Sequence, residues 1–298
     1  MKILLLGKNG QVGWELQRSL SVLGDVVACD FDSAPPLRAD FSDPTSLIAL
    51  IQRERPQVIV NAAAHTAVDK AESEPELARA INATSPGVIA REAAQLGACL
   101  IHYSTDYVFD GSGHHARDET ATTGPLSVYG RTKLEGEDLV RASGCNHLVL
   151  RTSWVYAARG GNFARTMLRL ASERDELKVI SDQVGAPTGA DLLADVTAQT
   201  LPTLLGNPAL SGTYHCVAGG QTNWHEYACF VIAWARQRGH KVQVADDRIH
   251  PIPTSAYPTP AGRPLNSRLT TNKLQKAFKV RLPDWKLGVE RMLTEVLV

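Results

Sequence analysis

Residues 2–13 read KILLLGKNGQVG and join an apolar run to a set of regularly spaced glycines. The apolar part, residues 2–6, is typical of a buried parallel strand. The glycines follow with the spacing Gly-x-x-Gly-x-x-Gly, and an amphipathic helix is predicted over residues 12–23. Strand, glycine-rich turn and helix in this order predict a phosphate site at the start of the helix.

The three glycines of this turn have separate roles. Gly7 permits the tight turn, and Gly10 lets the backbone approach a pyrophosphate. Gly13 lets the helix pack closely on the strand. The turn therefore predicts a dinucleotide site, which requires a group that binds the ribose further along the chain.

Asp30 ends the next apolar run and has the position expected for that ribose-binding group. Its carboxylate would bind a 2′-hydroxyl and repel a 2′-phosphate, which favours NADH. Two cations in the same region, Lys8 and Arg38, would instead suit the 2′-phosphate of NADPH. The sequence leaves the choice between NADH and NADPH open.

Strand-like and helix-like segments alternate over most of the chain. This pattern predicts an α/β fold with a Rossmann-type, doubly wound parallel sheet. Strands are predicted at 2–6, 26–29, 58–61, 99–104 and 147–151, with helices at 44–55, 75–96 and 127–142.

The regularity weakens after Arg151, and this change predicts a second, smaller unit. We expect a dinucleotide-binding domain over 1–161, joined by part of 190–225, and an interleaved carboxyl-terminal substrate domain over 162–298. Helices are predicted at 162–173, 190–205, 224–238, 271–277 and 285–298, with strands at 177–181 and 212–217. Five prolines exclude a helix from residues 250–264, which leaves a flexible linker or an ordered lid.

The composition excludes several classes of protein. The 31 Lys and Arg residues balance 31 Asp and Glu residues, and there is no basic stripe with aromatics, so a nucleic-acid partner is not expected. Five scattered cysteines without a Cys-x-x-Cys pair indicate free thiols in a reducing compartment. No apolar run has the length of a membrane span or a leader core, so we expect a cytoplasmic protein that does not bind membranes.

Tyr129 and Lys133 form a candidate proton relay. They are four residues apart within a predicted helix and therefore project from the same face. A phenol is a weak acid at pH 7, and an ammonium group beside it is expected to lower its pKa. The pair thus predicts a tyrosine acid with a lysine as its electrostatic partner.

Polar residues also end two of the predicted strands, where ligands bind in open α/β sheets. Ser104 and Thr105 follow the fourth strand, and either hydroxyl has the right position to bind a substrate oxygen. The small residues 62–64 after the third strand would let a cofactor lie close to the backbone. These strand ends and the Tyr129/Lys133 pair predict one catalytic site.

Together these motifs resemble the extended short-chain dehydrogenase/reductase superfamily. Longer segments are similar to the dTDP-4-dehydrorhamnose reductase family within it, and the likeness covers nearly the whole chain. These segments are AAAHTAVDKAE at 62–72, YSTDYVF at 103–109, RTSWVY at 151–156, GAPTG at 185–189 and RPLNS at 263–267.

The resemblance implies reduction of the C4 ketone of dTDP-4-dehydro-β-L-rhamnose to dTDP-L-rhamnose by hydride transfer from NADH or NADPH. It implies that Tyr129, Lys133 and Thr105 are catalytic, and that Thr105, Asp106, Trp154, Arg263, Asn266 and Arg268 bind the sugar nucleotide. The implied cofactor residues, besides Tyr129 and Lys133, are Gly7, Gly10, Gln11, Val12, Gly13, Asp30, Asp40, Phe41, Ala64, His65, Thr66 and Tyr103.

Some members of the family bind Mg²⁺ at a homodimer interface through three carboxylates. The matching residues here are Glu15, Asp191 and Glu295, and oxygen ligands suit this hard cation. Asp191 is shorter by one methylene than the Glu of such members. The alternative is three ordinary acidic residues on helix surfaces.

The sequence bears on three alternative functions: a dehydratase, an epimerase and a non-catalytic subunit. Dehydratases of the superfamily follow the strand-end Thr with an Asp-Glu pair, whereas Tyr107 follows Asp106 here. An epimerase is excluded only weakly. A non-catalytic regulatory subunit would have no need of the Thr105, Tyr129 and Lys133 set.

Overall fold

A computed structural model describes residues 1–297. Its strands are β1 Lys2–Leu6, β2 Asp25–Cys29, β3 Val58–Asn61, β4 Cys99–Thr105, β5 Asn146–Thr152, β6 Val155–Tyr156, β7 Leu177–Ile180, β8 Val184–Gly185, β9 Thr188–Gly189, β10 Gly212–His215, β11 Thr222–Asn223 and β12 Ile249–Ile252. Its α-helices are α1 Gln11–Leu20, α2 Pro44–Glu54, α3 Val68–Ser73, α4 Pro75–Arg79, α5 Ser85–Leu96, α6 Val128–Ala142, α7 Phe163–Glu173, α8 Ala190–Gly206, α9 Trp224–Gln237, α10 Asn272–Phe278 and α11 Trp285–Leu297.

The central sheet has six strands in the order β10–β5–β4–β3–β1–β2. All neighbouring pairs are parallel. This order confirms the predicted Rossmann-type α/β fold. The strand order reverses between β1 and β3, and ligands bind at the carboxyl ends of the strands beside such a reversal.

Alternate side chains of the strands enter two separate cores, one on each face of the sheet. Ile3, Leu5 and Val60 pack on one face with residues of α1 and α8. Leu4 and Leu6 pack on the other face with residues of α2 and α5. Each fully buried leucine contributes about 1.5–3 kcal/mol to the free energy of unfolding, so the apolar run at the amino terminus anchors both layers of helices.

The helix predicted over residues 75–96 has those bounds in the structure, but it is not α-helical throughout. A five-residue π-helical turn, Ala80–Thr84, separates α4 from α5. Asn82 in this turn is fully buried, and its Oδ1 accepts a hydrogen bond from the His65 N–H at 2.8 Å. Its Nδ2 donates to the His65 carbonyl at 3.1 Å. The irregular turn thus holds the loop that follows β3.

The second half of the chain builds two further apolar clusters. One contains Tyr156, Tyr227 and Trp285, and the other contains Met167 and Ile232. The proline-rich region begins in β12, which pairs in parallel with β7. No helix within residues 1–297 is both long and apolar enough to cross a membrane.

Candidate active site

A cavity of about 1120 Å³ opens at the carboxyl ends of the central strands. The glycine turn after β1 lies on its wall, together with the ends of β3 and β4 and the first turns of α6. The sequence-predicted residues that line it are Gly7, Gly10, Gln11, Val12, Asp30, Asp40, Phe41, Ala64, Thr66, Tyr103, Thr105, Asp106, Tyr129, Lys133 and Trp154. Residues far apart in the sequence therefore share one site.

The glycine turn has the geometry that its spacing predicts. Gly7 has a φ of +87°, and a Cβ there would lie 2.6 Å from the Ala63 nitrogen. A Cβ at Gly13 would overlap the Gly7 carbonyl oxygen. Gly10 precedes α1, whose first N–H groups receive no side-chain cap. These free donors at a helix start suit a pyrophosphate.

Asp30 lies at the edge of the cavity beyond β2. Its Oδ2 accepts from the Asn9 N–H at 3.0 Å, and its Oδ1 accepts from the Phe31 N–H at 2.8 Å. Arg38 forms an ion pair with Asp40 at 3.0 Å. A carboxylate thus faces the cavity, while the nearby arginine is already paired.

Tyr129 and Lys133 lie on the first turns of α6, which Ser127 caps by accepting from the Gly130 N–H at 3.1 Å. Both side chains line the cavity. The Lys133 ammonium donates to the Tyr103 carbonyl at 2.6 Å. The helix therefore delivers both groups to the site, as their spacing predicts.

Lys133 is not among the groups that shift the pKa of Tyr129 in this structure, so the lowering expected from the lysine remains a prediction. Burial raises the pKa of Tyr129 to about 12, a hydrogen bond with Thr105 opposes the rise, and Asp106 adds to it. The lysine nitrogen is bonded to the Tyr103 carbonyl. Tyr129 is therefore a fully protonated phenol at neutral pH, which is the form that a proton donor needs.

The two hydroxyls at the end of β4 have different partners. Thr105 donates to Asp106 Oδ1 at 3.0 Å and bonds with Tyr129. Ser104 instead donates to the buried Glu137 at 2.6 Å. Thr105 is thus the hydroxyl placed beside the candidate acid.

Asp106 is a buried carboxyl group inside the cavity wall. Burial raises its pKa to about 6, while hydrogen bonds with Ser267 and Thr105 act in the opposite direction. Its Oδ2 has no hydrogen-bond partner among the described residues. Asp106 lines the cavity, so its carboxyl group is a candidate partner for a hydroxyl group of a ligand.

Trp154 forms an aromatic wall of the cavity with Trp224. The two rings are stacked with centroids 3.6 Å apart. Trp154 has a φ of +49°, an uncommon conformation for a large residue. The Trp224 indole N–H donates to Gln183 at 3.0 Å, which fixes the plane of the pair.

Several predicted site residues do not line the cavity. His65 places its Nε2 3.6 Å from Glu74. Arg263 forms an ion pair with Asp69 at 2.7 Å. Asn266 donates to the His115 carbonyl at 2.9 Å, and Arg268 donates to the Asn266 side chain at 3.0 Å. These four side chains bind the surrounding loops instead of facing the cavity. Gly13 also lies outside the cavity, where it packs against Gly7.

The three carboxylates considered for Mg²⁺ lie near one another at the surface. Burial raises the pKa of Glu15, Arg18 opposes the rise, and Asp191 and Glu295 add to it. Arg291 lies 3.6 Å from Asp191 and 3.2 Å from Glu295. Within residues 1–297 no group of three or more potential ligands has metal-binding geometry. The residues of one chain therefore do not fit the ion.

Sequence reasoning missed several lining residues. Trp224 begins α9, and Gly160 and Gly161 lie in the loop before α7. Gln11 Nε2 donates to the Gly161 carbonyl at 3.0 Å, so this loop closes over the glycine turn. A tryptophan directly after a helix cap and a Gly-Gly pair are the only local signals, and both are common.

Comparisons with known proteins point to one family. The family model described as RmlD substrate binding domain matches residues 1–298. The chain is 56% identical to dTDP-4-dehydrorhamnose reductase of Salmonella typhimurium, over 99% of this chain and 98% of that protein.

Two solved structures of reductases with the same name have closely similar folds. The Clostridium acetobutylicum structure has a TM-score of 0.88 at 35% identity and covers 100% of both chains. The Bacillus anthracis structure, in complex with NADP, has a TM-score of 0.87 at 33% identity and covers 99% of both chains. The chain belongs to the dTDP-4-dehydrorhamnose reductase family.

Proposed function

We propose that this chain reduces the C4 ketone of dTDP-4-dehydro-β-L-rhamnose to dTDP-L-rhamnose, with NADH or NADPH as the hydride source. The observation that carries the proposal is the placement of Tyr129 and Thr105 in the same cavity as the glycine turn. Family membership along the full length of the chain agrees with this reaction.

The turn after β1 fits a dinucleotide, because Gly7 and Gly13 leave no room for side chains and α1 offers free N–H groups. When bound, the cofactor supplies the hydride to the C4 carbon. We assign the cofactor site to the glycine turn, Gln11, Val12, Asp30, Asp40, Phe41, Ala64, Thr66, Tyr103, Tyr129 and Lys133. His65 supports this site through its backbone bonds to Asn82.

In the reaction, Tyr129 donates its phenolic proton to the alkoxide that forms at C4. Thr105 bonds the same oxygen and orients it toward the phenol. The raised pKa of Tyr129, caused by burial, keeps the proton on the phenol until the alkoxide develops. Lys133 orients the nicotinamide ribose and balances the charge of the phenolate.

We assign the sugar to the space between Asp106 and the tryptophan wall. The Asp106 carboxyl group accepts from a sugar hydroxyl, and Trp154 offers an apolar surface to the sugar ring. Arg263, Asn266 and Arg268 can reach the nucleotide only if their present bonds to the protein break, so we give them a supporting role in loop structure.

A coupled assay tests the reaction. dTDP-4-dehydro-L-rhamnose is generated in situ, and loss of reduced nicotinamide absorbance is followed with NADH and NADPH separately. Oxidation with formation of dTDP-L-rhamnose is expected. Cofactor binding without oxidation would contradict the proposal and favour an epimerase or a regulatory subunit.

We further propose a cytoplasmic homodimer whose product supplies rhamnose to a cell-surface polysaccharide such as the O-antigen of lipopolysaccharide. The face bearing Glu15, Asp191 and Glu295 is our candidate interface, because the family resemblance places Mg²⁺ there. A cation would have to displace Arg291 from Asp191. Sedimentation with Mg²⁺ and with a chelator tests both the dimer and the metal. A monomer under both conditions would contradict the dimer. A dimer that chelation does not affect would contradict a role for Mg²⁺ at the interface.

A further inference from the structure

Three buried side chains form a row that ends at the cavity: Asn61 at the end of β3, His102 on β4 and Lys133 on α6. Each is at most 2% exposed. Asn61 Nδ2 lies 3.1 Å from His102 Nδ1, and His102 Nε2 lies 3.5 Å from Lys133 Nζ. The imidazole therefore connects a strand-end amide to the candidate catalytic lysine.

The row fixes the tautomer of His102. Asn61 Oδ1 accepts from the Ala63 N–H at 3.1 Å, so the amide cannot flip without placing two donors against each other. Asn61 Nδ2 must then donate to His102 Nδ1. A neutral ring that accepts at Nδ1 carries its proton on Nε2, and this N–H points toward Lys133.

We propose that His102 is a positioning residue for Lys133, held by Asn61 as the Nε2–H tautomer so that it presents a hydrogen-bond donor to the lysine nitrogen. This inference rests on the proposed reductase function for its role in turnover. The reaction chemistry alone requires neither Asn61 nor His102, so this role for the two residues is additional to it.

The His102 Nε2–H disfavours the protonated form of Lys133. An ammonium group has only donors and cannot accept the His102 N–H, whereas the neutral amine can. Burial lowers the pKa of Lys133 to about 8, and the Glu137 carboxylate opposes this. The His102 N–H therefore lowers the pKa of Lys133, as burial does.

The charged groups around the row do not cancel the effect of His102 on the Lys133 pKa. Burial lowers the pKa of His102 well below its usual value, with further lowering by Lys133 and His147, so the ring stays neutral. Glu137 is bound by Arg151 at 2.6 Å and by Arg141 at 3.0 Å, which reduces its influence on the lysine.

This arrangement suits the step after hydride transfer. Tyr129 has given its proton to the alkoxide and is a phenolate. A proton that passes from Lys133 to the phenolate, directly or through water, restores the phenol and leaves an amine, which then accepts the His102 N–H. Water returns the proton to the amine, so each turnover consumes one solvent proton.

Asn61→Asp tests the tautomer while keeping the hydrogen bonds. A carboxylate still accepts from the Ala63 N–H, but it also requires a proton on His102 Nδ1, which leaves Nε2 as an acceptor for the ammonium. We expect ¹⁵N shifts of the labelled histidine to show Nε2–H in the unaltered protein and Nδ1–H in the variant. The Lys133 pKa, followed by ¹³C NMR of the lysine Cε with Lys133→Arg for assignment, should rise by about 1–3 pH units.

His102→Gln separates the donor from the added charge. The glutamine amide is free to turn its oxygen toward Lys133, so the lysine pKa should rise here as well. His147→Gln is the matched control, since His147 is also a buried histidine but bonds the Cys145 carbonyl at 2.9 Å. It should leave the Lys133 pKa unchanged.

The outcomes separate this proposal from the reductase assignment, because both NMR readouts use the protein without substrate. A proton on Nδ1 of His102 in the unaltered protein would overturn the proposal. So would an unchanged Lys133 pKa in His102→Gln, even if Asn61→Asp raised it, since the charge alone would then act. With activity present, the alkaline limb of the kcat profile should move to higher pH in both variants.

Discussion

Tyr129 carries the hydroxyl on which the proposed proton transfer depends. Tyr129→Phe keeps the ring and its edge contact with Tyr107, whose centroid is 5.5 Å away, but removes the acid. We expect kcat to fall by about 10²–10⁴-fold, the usual contribution of a general acid. Steady-state oxidation of NADPH measures this, with cofactor affinity by fluorescence as the control. Near-full activity of this variant would show that Tyr129 is not the proton donor.

Asp30 decides the cofactor in our assignment of the ribose site. Asp30→Ala removes the charge that would repel a 2′-phosphate, so the ratio of kcat/KM for NADPH to that for NADH should rise. Asp32→Ala is the control, because Asp32 is exposed and bonds the Asn9 side chain at 2.9 Å. If both variants keep the original ratio, Asp30 does not bind the ribose.

Asp106 makes stability depend on pH. Its folded-state pKa of about 6 exceeds the ordinary value of 3.8, so the folded protein holds a proton that the unfolded chain has lost between these values. The free energy of unfolding therefore falls as pH rises from about 4 to about 6, by roughly 3 kcal/mol, and is level above. Urea unfolding of the unaltered protein and Asp106→Asn should show curves that diverge over this range. Parallel curves would mean that the carboxyl group titrates normally.

The residue scale also shows what a sequence cannot supply. The spacing of Tyr129 and Lys133 predicts a shared face, and the structure has one. The direction of the tyrosine pKa was not predictable, because it depends on burial by segments distant in sequence. Arg263 was assigned to a ligand, but its geometry pairs it with Asp69, almost two hundred positions earlier.

At the scale of elements, the π-helical turn Ala80–Thr84 supports the site through one amide. Asn82 also donates to the Thr132 hydroxyl at 3.2 Å, so it ties the loop after β3 to α6. Asn82→Ala would leave the partly buried His65 N–H without its acceptor and should cost about 1–3 kcal/mol of unfolding free energy. Chemical denaturation measures this. The exposed Asn272→Ala is the control and should change stability by less than about 0.5 kcal/mol.

Regular elements were predictable and irregular ones were not. The strands of the first half match their apolar runs because a strand buried on both faces must be apolar throughout. The turn at 80–84 has no such signature, since helical periodicity continues through it and the partners of Asn82 lie far away in the sequence. Short strands such as β8 and β11 exist only because they pair with each other.

At the scale of the whole molecule, the predicted interleaving of the two halves remains our proposal for the domain division, 1–161 with part of 190–225 against 162–298. Two observations support it. β10 pairs with β5 as the edge strand of the central sheet, and α8 packs with α1 in the same apolar cluster. The aromatic cluster joins Tyr156, near the end of the first unit, to Tyr227 and Trp285 of the other unit.

The proline-rich region is ordered in part through its partners elsewhere in the chain. β12 pairs with β7, and Asp69 accepts from both the Ala261 N–H and Arg263. Of the two alternatives, a flexible linker and an ordered lid, these contacts favour an ordered segment. The sequence could not decide, because prolines exclude a helix but say nothing of distant partners.

The position of β10 in the central sheet limits where the chain can be truncated. A truncated chain that stops near residue 161 keeps the glycine turn, Tyr129 and Lys133, yet it exposes the whole open edge of β5 and the apolar side of α1. Unpaired edges of this kind recruit other strands and aggregate. We therefore expect the amino-terminal half alone to aggregate, and a fusion or split version of this enzyme to need residues 190–215 as well.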